Sequence, residues 1–271
     1  MKKGIFLLLS IVIAVNLNAQ KTPNFQKEAF KIGESLTFKS EILEEERTVN
    51  IYLPAGYHPD SMATYPVIYL LDGTADEDFI HIAGIVQFMN YPWVNLLPKS
   101  IVVGIANVDR KRDFTFPTTI EKDKKDFPTT GGSKAFIRFI GEELQPLIQK
   151  TYPTNGTKTI IGQSLGGLLA TEILFKQSNL FDNYIIVSPS LWWNNESLLE
   201  YSFEKIFTNN FSPKKKIYIA VGKEGKVMEK DAKALFKKIK KETPKSVKST
   251  FEYFKGSNHA NILHLAVYSA F

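Results

Sequence analysis

The chain has 271 residues, 44% of them hydrophobic and 23% charged, with a formal charge of +6 and no cysteine. This is an ordinary globular composition, long enough to bury a substantial core in one large domain or two small ones. The missing cysteines exclude disulfides, thiolate metal sites and a cysteine nucleophile.

The first twenty residues, MKKGIFLLLSIVIAVNLNAQ, carry two lysines, an apolar run from Ile5 to Val15 and a small residue at Ala19. That is the layout of a secretory signal with cleavage after Ala19. The run is shorter than the roughly 20 residues a membrane span needs. Residues 1–19 are therefore expected to be a signal peptide and 20–271 the mature protein. The expected location is the periplasm or the exterior of a bacterium, with no membrane span after cleavage. Losing Lys2 and Lys3 leaves a modest positive charge, and the later lysine run KALFKKIKKETPK, residues 233–245, has helical spacing with Ala234, Leu235 and Ile239 inward. Its lysine-bearing face lacks the interleaved aromatics or arginines of a nucleic-acid surface and reads as a solvated helix face. No nucleic-acid partner is expected.

Residues Lys21 to Ser35 read as an arm. Two alternating strands follow, SLTFKSEIL and RTVNIYLP, joined by a turn at Glu44–Glu46. PVIYLLDG is a continuous apolar run, as expected of a strand covered on both faces. A helix over 78–90 and the strand SIVVGIAN come next. The polar stretch 107–132 is long for a connection and reads as a lid or substrate loop. Beyond it the pattern gives a helix from Ser133 to Tyr152, strand 158–162, helix 165–178, strand NYIIVSP and helix 196–208. It closes with strand KIYIAVG, helix 228–242, strand SVKSTFEYF and a last helix from about Asn261. Alternating strands and helices imply a single α/β domain. The expected fold is that of an α/β hydrolase: a mostly parallel sheet of roughly eight strands, helices on both faces and an antiparallel edge.

Gly162-Gln163-Ser164-Leu165-Gly166 is a G-x-S-x-G motif with a β run leading in and a helix leading out. Chance produces the five letters often; the strand–turn–helix setting is what the motif requires. It makes Ser164 the candidate nucleophile, held in a strained turn, with the Leu165 N–H aimed at a developing oxyanion. A plain serine N-cap would need neither glycine. Serine needs a base. Of His58, His81, His259 and His264, only His259 lies in a polar loop just after the last strand, at the sheet edge that also carries Ser164; His264 reads as a packed histidine. The acid should lie between them in the chain. Glu224 is nearest the end of strand KIYIAVG and is chosen. Glu229 and Asp231 in the next helix, Glu196 further back, and a bare Ser164–His259 dyad stay open. A second oxyanion donor is expected from the N–H of Gly73 or Thr74 in LLDGTAD, where Asp72 also has a plain turn role.

The stretches YPVIYLLDG, VVGIANVDRKRDFTF, IGQSLGGLLATEILF, FDNYIIVSPSLWWNN, VGKEGKVME and GSNHANILHLAVY run in order over most of the mature chain. Together they resemble the esterase D family of α/β hydrolases, and more narrowly its siderophore (enterobactin-type) trilactone esterases. The resemblance implies a serine hydrolase with neither a metal nor an organic cofactor, in which Ser164, His259 and Glu224 match nucleophile, base and acid. It implies a substrate pocket to which Arg110, Arg112, Trp192 and Trp193 could contribute. The alternative is structural: tryptophans capping the sheet end and arginines paired with Asp109 or Asp113. The expected activity is hydrolysis of a small-molecule carboxylic ester through an acyl-enzyme, the ester being aryl, sugar-linked or of siderophore type. An acyl transferase on the same machinery and an inactive exported binding module are the rival readings.

Overall fold

Among the described residues, eight strands lie in one sheet in the order β1-β2-β4-β3-β5-β6-β7-β8. They are Glu34–Ser40 (β1), Glu45–Tyr52 (β2), Tyr65–Leu70 (β3), Ile101–Ile105 (β4), Thr154–Gln163 (β5), Asn183–Val187 (β6), Lys216–Gly222 (β7) and Lys248–Phe254 (β8). The structure is a computed structural model and describes residues 25–202 and 215–271. The signal-peptide expectation for 1–19 lies outside them. Within the described residues no helix is long and apolar enough to cross a membrane. The unit that carries the fold is Ile32–Phe271.

β1 and β2 form an antiparallel hairpin, β2 pairs antiparallel with β4, and every other neighbour pair is parallel. This is the mostly parallel α/β-hydrolase sheet expected from the alternation of elements. Its central strands read as unbroken apolar runs because both faces are covered. Val67 and Tyr69 of β3, Ile160 of β5 and Ile186 of β6 face one core. Their neighbours Ile68, Leu70, Ile161, Ile185 and Val187 face the other. The period of two thus separates two cores that the bare sequence shows as one run.

The second core is closed by helices Phe79–Met89 (α1) and Ile262–Ala270 (α8). The first is closed by helices on the opposite face, among them Leu165–Lys176 (α6) and Lys226–Glu242 (α7). α7 buries Ala232, Leu235 and Ile239 and turns its lysines outward; Ala232, not Ala234, completes the buried stripe. The helix expected over 133–152 is broken into Ser133–Arg138, a π-turn over Phe139–Leu144 and Gln145–Thr151. Of the helix expected over 196–208, Ser197–Glu200 is a single 3₁₀ turn, and 203–208 lie outside the described residues. The hairpin turn precedes its expected place, because Glu45 and Glu46 already pair with Ser40 and Lys39.

The polar stretch 107–132 contains two short helices, Arg110–Phe114 (α2) and Glu121–Asp126 (α3). Phe114 and Thr115 are wholly buried. Arg47, wholly buried on β2, donates to Asp113 at 2.8 Å and to Glu45 at 2.9 Å. Arg112 completes the network, reaching Asp113 at 2.8 Å and Glu45 at 2.6 Å. A buried guanidinium tolerates burial only with such partners, and removing one typically costs about 3–5 kcal/mol.

Asp231, in the first half of α7, is buried with neither carboxylate oxygen hydrogen-bonded. Burial and the nearby Glu196 charge push its pKa up to about 6, against the pull of Lys230, whose ammonium stands 3.9 Å away. A raised carboxyl pKa means that the folded state binds the proton more tightly than the unfolded chain. Stability is then lost as pH rises from about 4 to 6, and the deficit is complete above. Asp231→Asn is expected to raise the unfolding free energy at pH 8 by about 1–3 kcal/mol. The difference from wild type should vanish below about pH 4, as denaturant unfolding at the two pH values would show.

Candidate active site

Three parallel strands end in left-handed residues at the same sheet edge: Asp72 after β3 (φ 56°), Ser164 after β5 (φ 59°) and Ser188 after β6 (φ 43°). A non-glycine residue there costs of order 1–3 kcal/mol and persists only where its surroundings fix it. At Ser164 (φ 59°, ψ −120°) the fixing is visible. Its N–H donates to Val187 O at 3.1 Å, and its carbonyl accepts from Leu168 N at 2.9 Å and Ser190 N at 3.0 Å. A Cβ on Gly162 would lie 2.3 Å from Gly166 O, so the turn closes only with glycine at 162. The side chain of Ser164 stands at the start of α6 and faces a cavity of about 600 Å³ shared with Ser190, Trp192, Lys223, Glu224, Met228, Asn258 and His259.

His259 sits in the loop between β8 and α8. Asn258 shapes this loop, its Oδ1 accepting from Ala260 N at 2.9 Å, while Gln163 Nε2 donates to the His259 carbonyl. Lys223 N donates to Ser257 O at 2.7 Å, tying the loop after β7 to the loop that carries His259. The tie brings Glu224 Oε2 to 2.5 Å from His259 Nδ1. The other oxygen, Oε1, accepts from Ser188 Oγ at 2.5 Å and Gly222 N at 2.9 Å. Burial pushes the Glu224 carboxyl up, but hydrogen bonds from His259, Ser188 and the Gly222 N–H outweigh it, leaving the pKa below the usual glutamate value. The anion is therefore held in place, able to fix the imidazole tautomer that leaves Nε2 free to accept a proton.

Among the described residues none of the other carboxylates considered from the sequence is bonded to His259. Glu229 Oε1 accepts from the N–H groups of Glu224 and Gly225 at 3.3 Å, shaping the start of α7. Glu196 pairs with Lys230, and Asp231 is buried without a donor. His58 is exposed beside Asp60. His264, read from the sequence as a packed core or interface histidine, lies at the contact of α8 with α1, partly exposed and hydrogen-bonded to Asp78.

Four further expectations meet the structure differently. Gly73 cannot supply an oxyanion donor, because its N–H is bonded to Ile105 O at 2.9 Å in continuation of the sheet. Among the described residues the N–H groups of Thr74 and Leu165 have no acceptor, which leaves these two for the role. Arg112 is not a substrate group, since its guanidinium is spent on Glu45 and Asp113. Trp193 is not one either: it is wholly buried, and its Nε1 donates to Phe116 O at 2.9 Å. Trp192, its neighbour, does line the cavity. Arg110 lines the adjoining recess with Ser164 and His259, but its charge is matched by Asp72 at 2.6 and 2.9 Å. Ser188 and Ser190 had no signal beyond the short SPS after strand NYIIV, whose role depends on where other strands end.

A family model described as "Putative esterase" matches residues 40–261. The ferri-bacillibactin esterase BesA of Bacillus subtilis is 31% identical over 242 residues, covering 82% of this chain and 83% of its own. The BES protein of Bacillus cereus superposes with a TM-score of 0.79 at 32% identity, over 92% of this chain and 97% of that one. An IroE-like serine hydrolase from Shewanella oneidensis does so with a TM-score of 0.77 at 31% identity, over 88% and 78%. The chain belongs to this esterase family and is a carboxylic ester hydrolase.

The two glutamates near His259 are separable by mutation. Glu224→Gln is expected to lower kcat by about three to four orders of magnitude, the loss typical when an imidazole loses its orienting carboxylate. Glu229→Gln should keep kcat within about tenfold of wild type. Steady-state kinetics on a short-chain aryl ester would check both, and the reverse order would transfer the acid role to Glu229.

Proposed function

We propose that the chain is an exported serine esterase that opens the ester bonds of a catecholate, siderophore-type lactone through an acyl-enzyme on Ser164. The observation that carries the mechanism is the buried Glu224 carboxylate bonded to His259, facing Ser164 across one cavity. His259 Nε2 takes the Ser164 proton as Oγ attacks the ester carbonyl. The oxyanion is met by the N–H groups of Leu165 and Thr74, the first at the positive end of α6. Collapse of the tetrahedral intermediate breaks the bond to the alcohol oxygen, which takes the proton from His259 and, in a lactone, stays tethered to the acyl group as a free hydroxyl. Water, deprotonated by the same imidazole, then releases the acid and restores Ser164.

Support for the substrate class comes from two directions. The relative BesA acts, by its name, on ferri-bacillibactin. The cavity is wide, and Trp192 and Lys223 line it with Ser164; an indole face and an ammonium suit an anionic aromatic ring. Export rests on the charged and apolar pattern of residues 1–19.

Purified protein and its Ser164→Ala variant, assayed on aryl acetates and on a catecholate trilactone, test the proposal. Wild type should cleave both with higher kcat/KM on the trilactone, and the variant should lose about three orders of magnitude or more. Unchanged turnover in the variant would reject the mechanism. Cleavage of aryl acetates with an intact trilactone would reject the substrate class. Export predicts a periplasmic or secreted product whose first residue is Gln20; an uncleaved cytoplasmic chain would contradict it.

A further inference from the structure

On the α1 and α8 face of the sheet, Asp78, His81 and His264 converge. Each offers one ligand atom, and the three atoms lie within 4.8 Å of one another. Asp78 and His81 stand one turn apart at the start of α1, while His264 projects from the first turn of α8, so the cluster joins two helices distant in sequence. The imidazole rings of His81 and His264 approach to 4.4 Å between centroids. His264 Nε2 lies 3.2 Å from Asp78 Oδ1.

Asp78 occupies the N-cap position of α1 yet makes no side-chain capping bond. An aspartate there ordinarily accepts from the first helical N–H groups. Here the carboxylate turns towards His264 instead. Among the described residues His81 has no hydrogen-bond partner, so both of its ring nitrogens are available.

We propose that Asp78, His81 and His264 form a binding site for a divalent transition-metal ion of the zinc class. Two imidazoles and a carboxylate, with no thiolate, match the donors preferred by Zn²⁺, Ni²⁺ and Cu²⁺ over Ca²⁺ or Mg²⁺. Ligand bonds of about 2.0–2.1 Å in a tetrahedron place neighbouring donors roughly 3.3 Å apart. The Asp78–His264 separation of 3.2 Å already meets that spacing, and His81 is exposed enough to complete it by a small side-chain rotation. The fourth position is open to water. Asp78 also lines the recess that holds Ser164 and His259, together with Asp72, Glu77 and Arg110. A dication at this point offsets an acidic rim and links α1 to α8 beside the ester site, without taking part in the serine chemistry.

Isothermal calorimetry of Zn²⁺ into chelator-treated full-length protein tests the site. One equivalent should bind with a micromolar or tighter Kd. His81→Ala and His264→Ala should each weaken binding at least tenfold, with far-UV circular dichroism unchanged. Ser164→Ala and His58→Ala should bind as wild type does, which makes the result independent of the catalytic reading. Absence of saturable binding in wild type, or wild-type affinity in either the His81 or the His264 variant, would overturn the proposal.

Discussion

The left-handed backbone at Ser164 is the constraint around which the rest of the site is arranged. It is unfavourable for any side chain, by about 1–3 kcal/mol, and it is held by groups that belong to the next strand. Val187 O takes its N–H and Ser190 N reaches its carbonyl. The residue that follows Val187, Ser188, is itself left-handed and donates to Glu224. The turn that exposes the hydroxyl is thus coupled to the one that steadies the acid. Neither can relax without disturbing the other, which keeps Ser164 and Glu224 in register along a short polypeptide edge.

Burial is divided unequally across the pair that would activate Ser164. Glu224 is almost wholly enclosed, with its side chain 3% exposed, whereas that of His259 is 47% exposed. The carboxylate gains from low-dielectric surroundings because three donors satisfy it. The imidazole keeps a face towards the cavity, where substrate and water must exchange. An enclosed anion and an accessible imidazole suit an ester hydrolase, in which substrate and water must reach the base. The segment 107–132 bounds the same end of the sheet and is pinned from below by the buried Arg47–Asp113 pair.

Much of this was legible in the chain. The mostly parallel sheet with its antiparallel edge followed from the alternation of apolar runs, though not the placing of β4 between β2 and β3, and G-x-S-x-G in a strand–turn–helix context singled out Ser164. His259 and Glu224 followed from their places after the last strands. What escaped was the allocation of hydrogen bonds between segments far apart in sequence. Nothing local to LLDGTAD says that Ile105 has already taken the Gly73 N–H. Nothing in NVDRKRDF says that Arg112 answers to Glu45, 67 positions earlier. The WW pair reads as two equivalent aromatics, yet successive residues point to different sides of the backbone, one into the core and one into the cavity. The π-turn at Phe139–Leu144 likewise sits in a sequence with helical periodicity throughout.

The central claim is covalent: the acyl group passes through Ser164 Oγ. The most direct measurement is intact-protein and peptide mass spectrometry of enzyme quenched during turnover of a slowly deacylated aryl ester. The account predicts a mass increase equal to the acyl group, on the peptide containing Ser164, that decays as product forms and is absent from Ser164→Ala. Continued turnover with no adduct at any time, or an adduct on Ser188 or Ser190 that persists in Ser164→Ala, would contradict it.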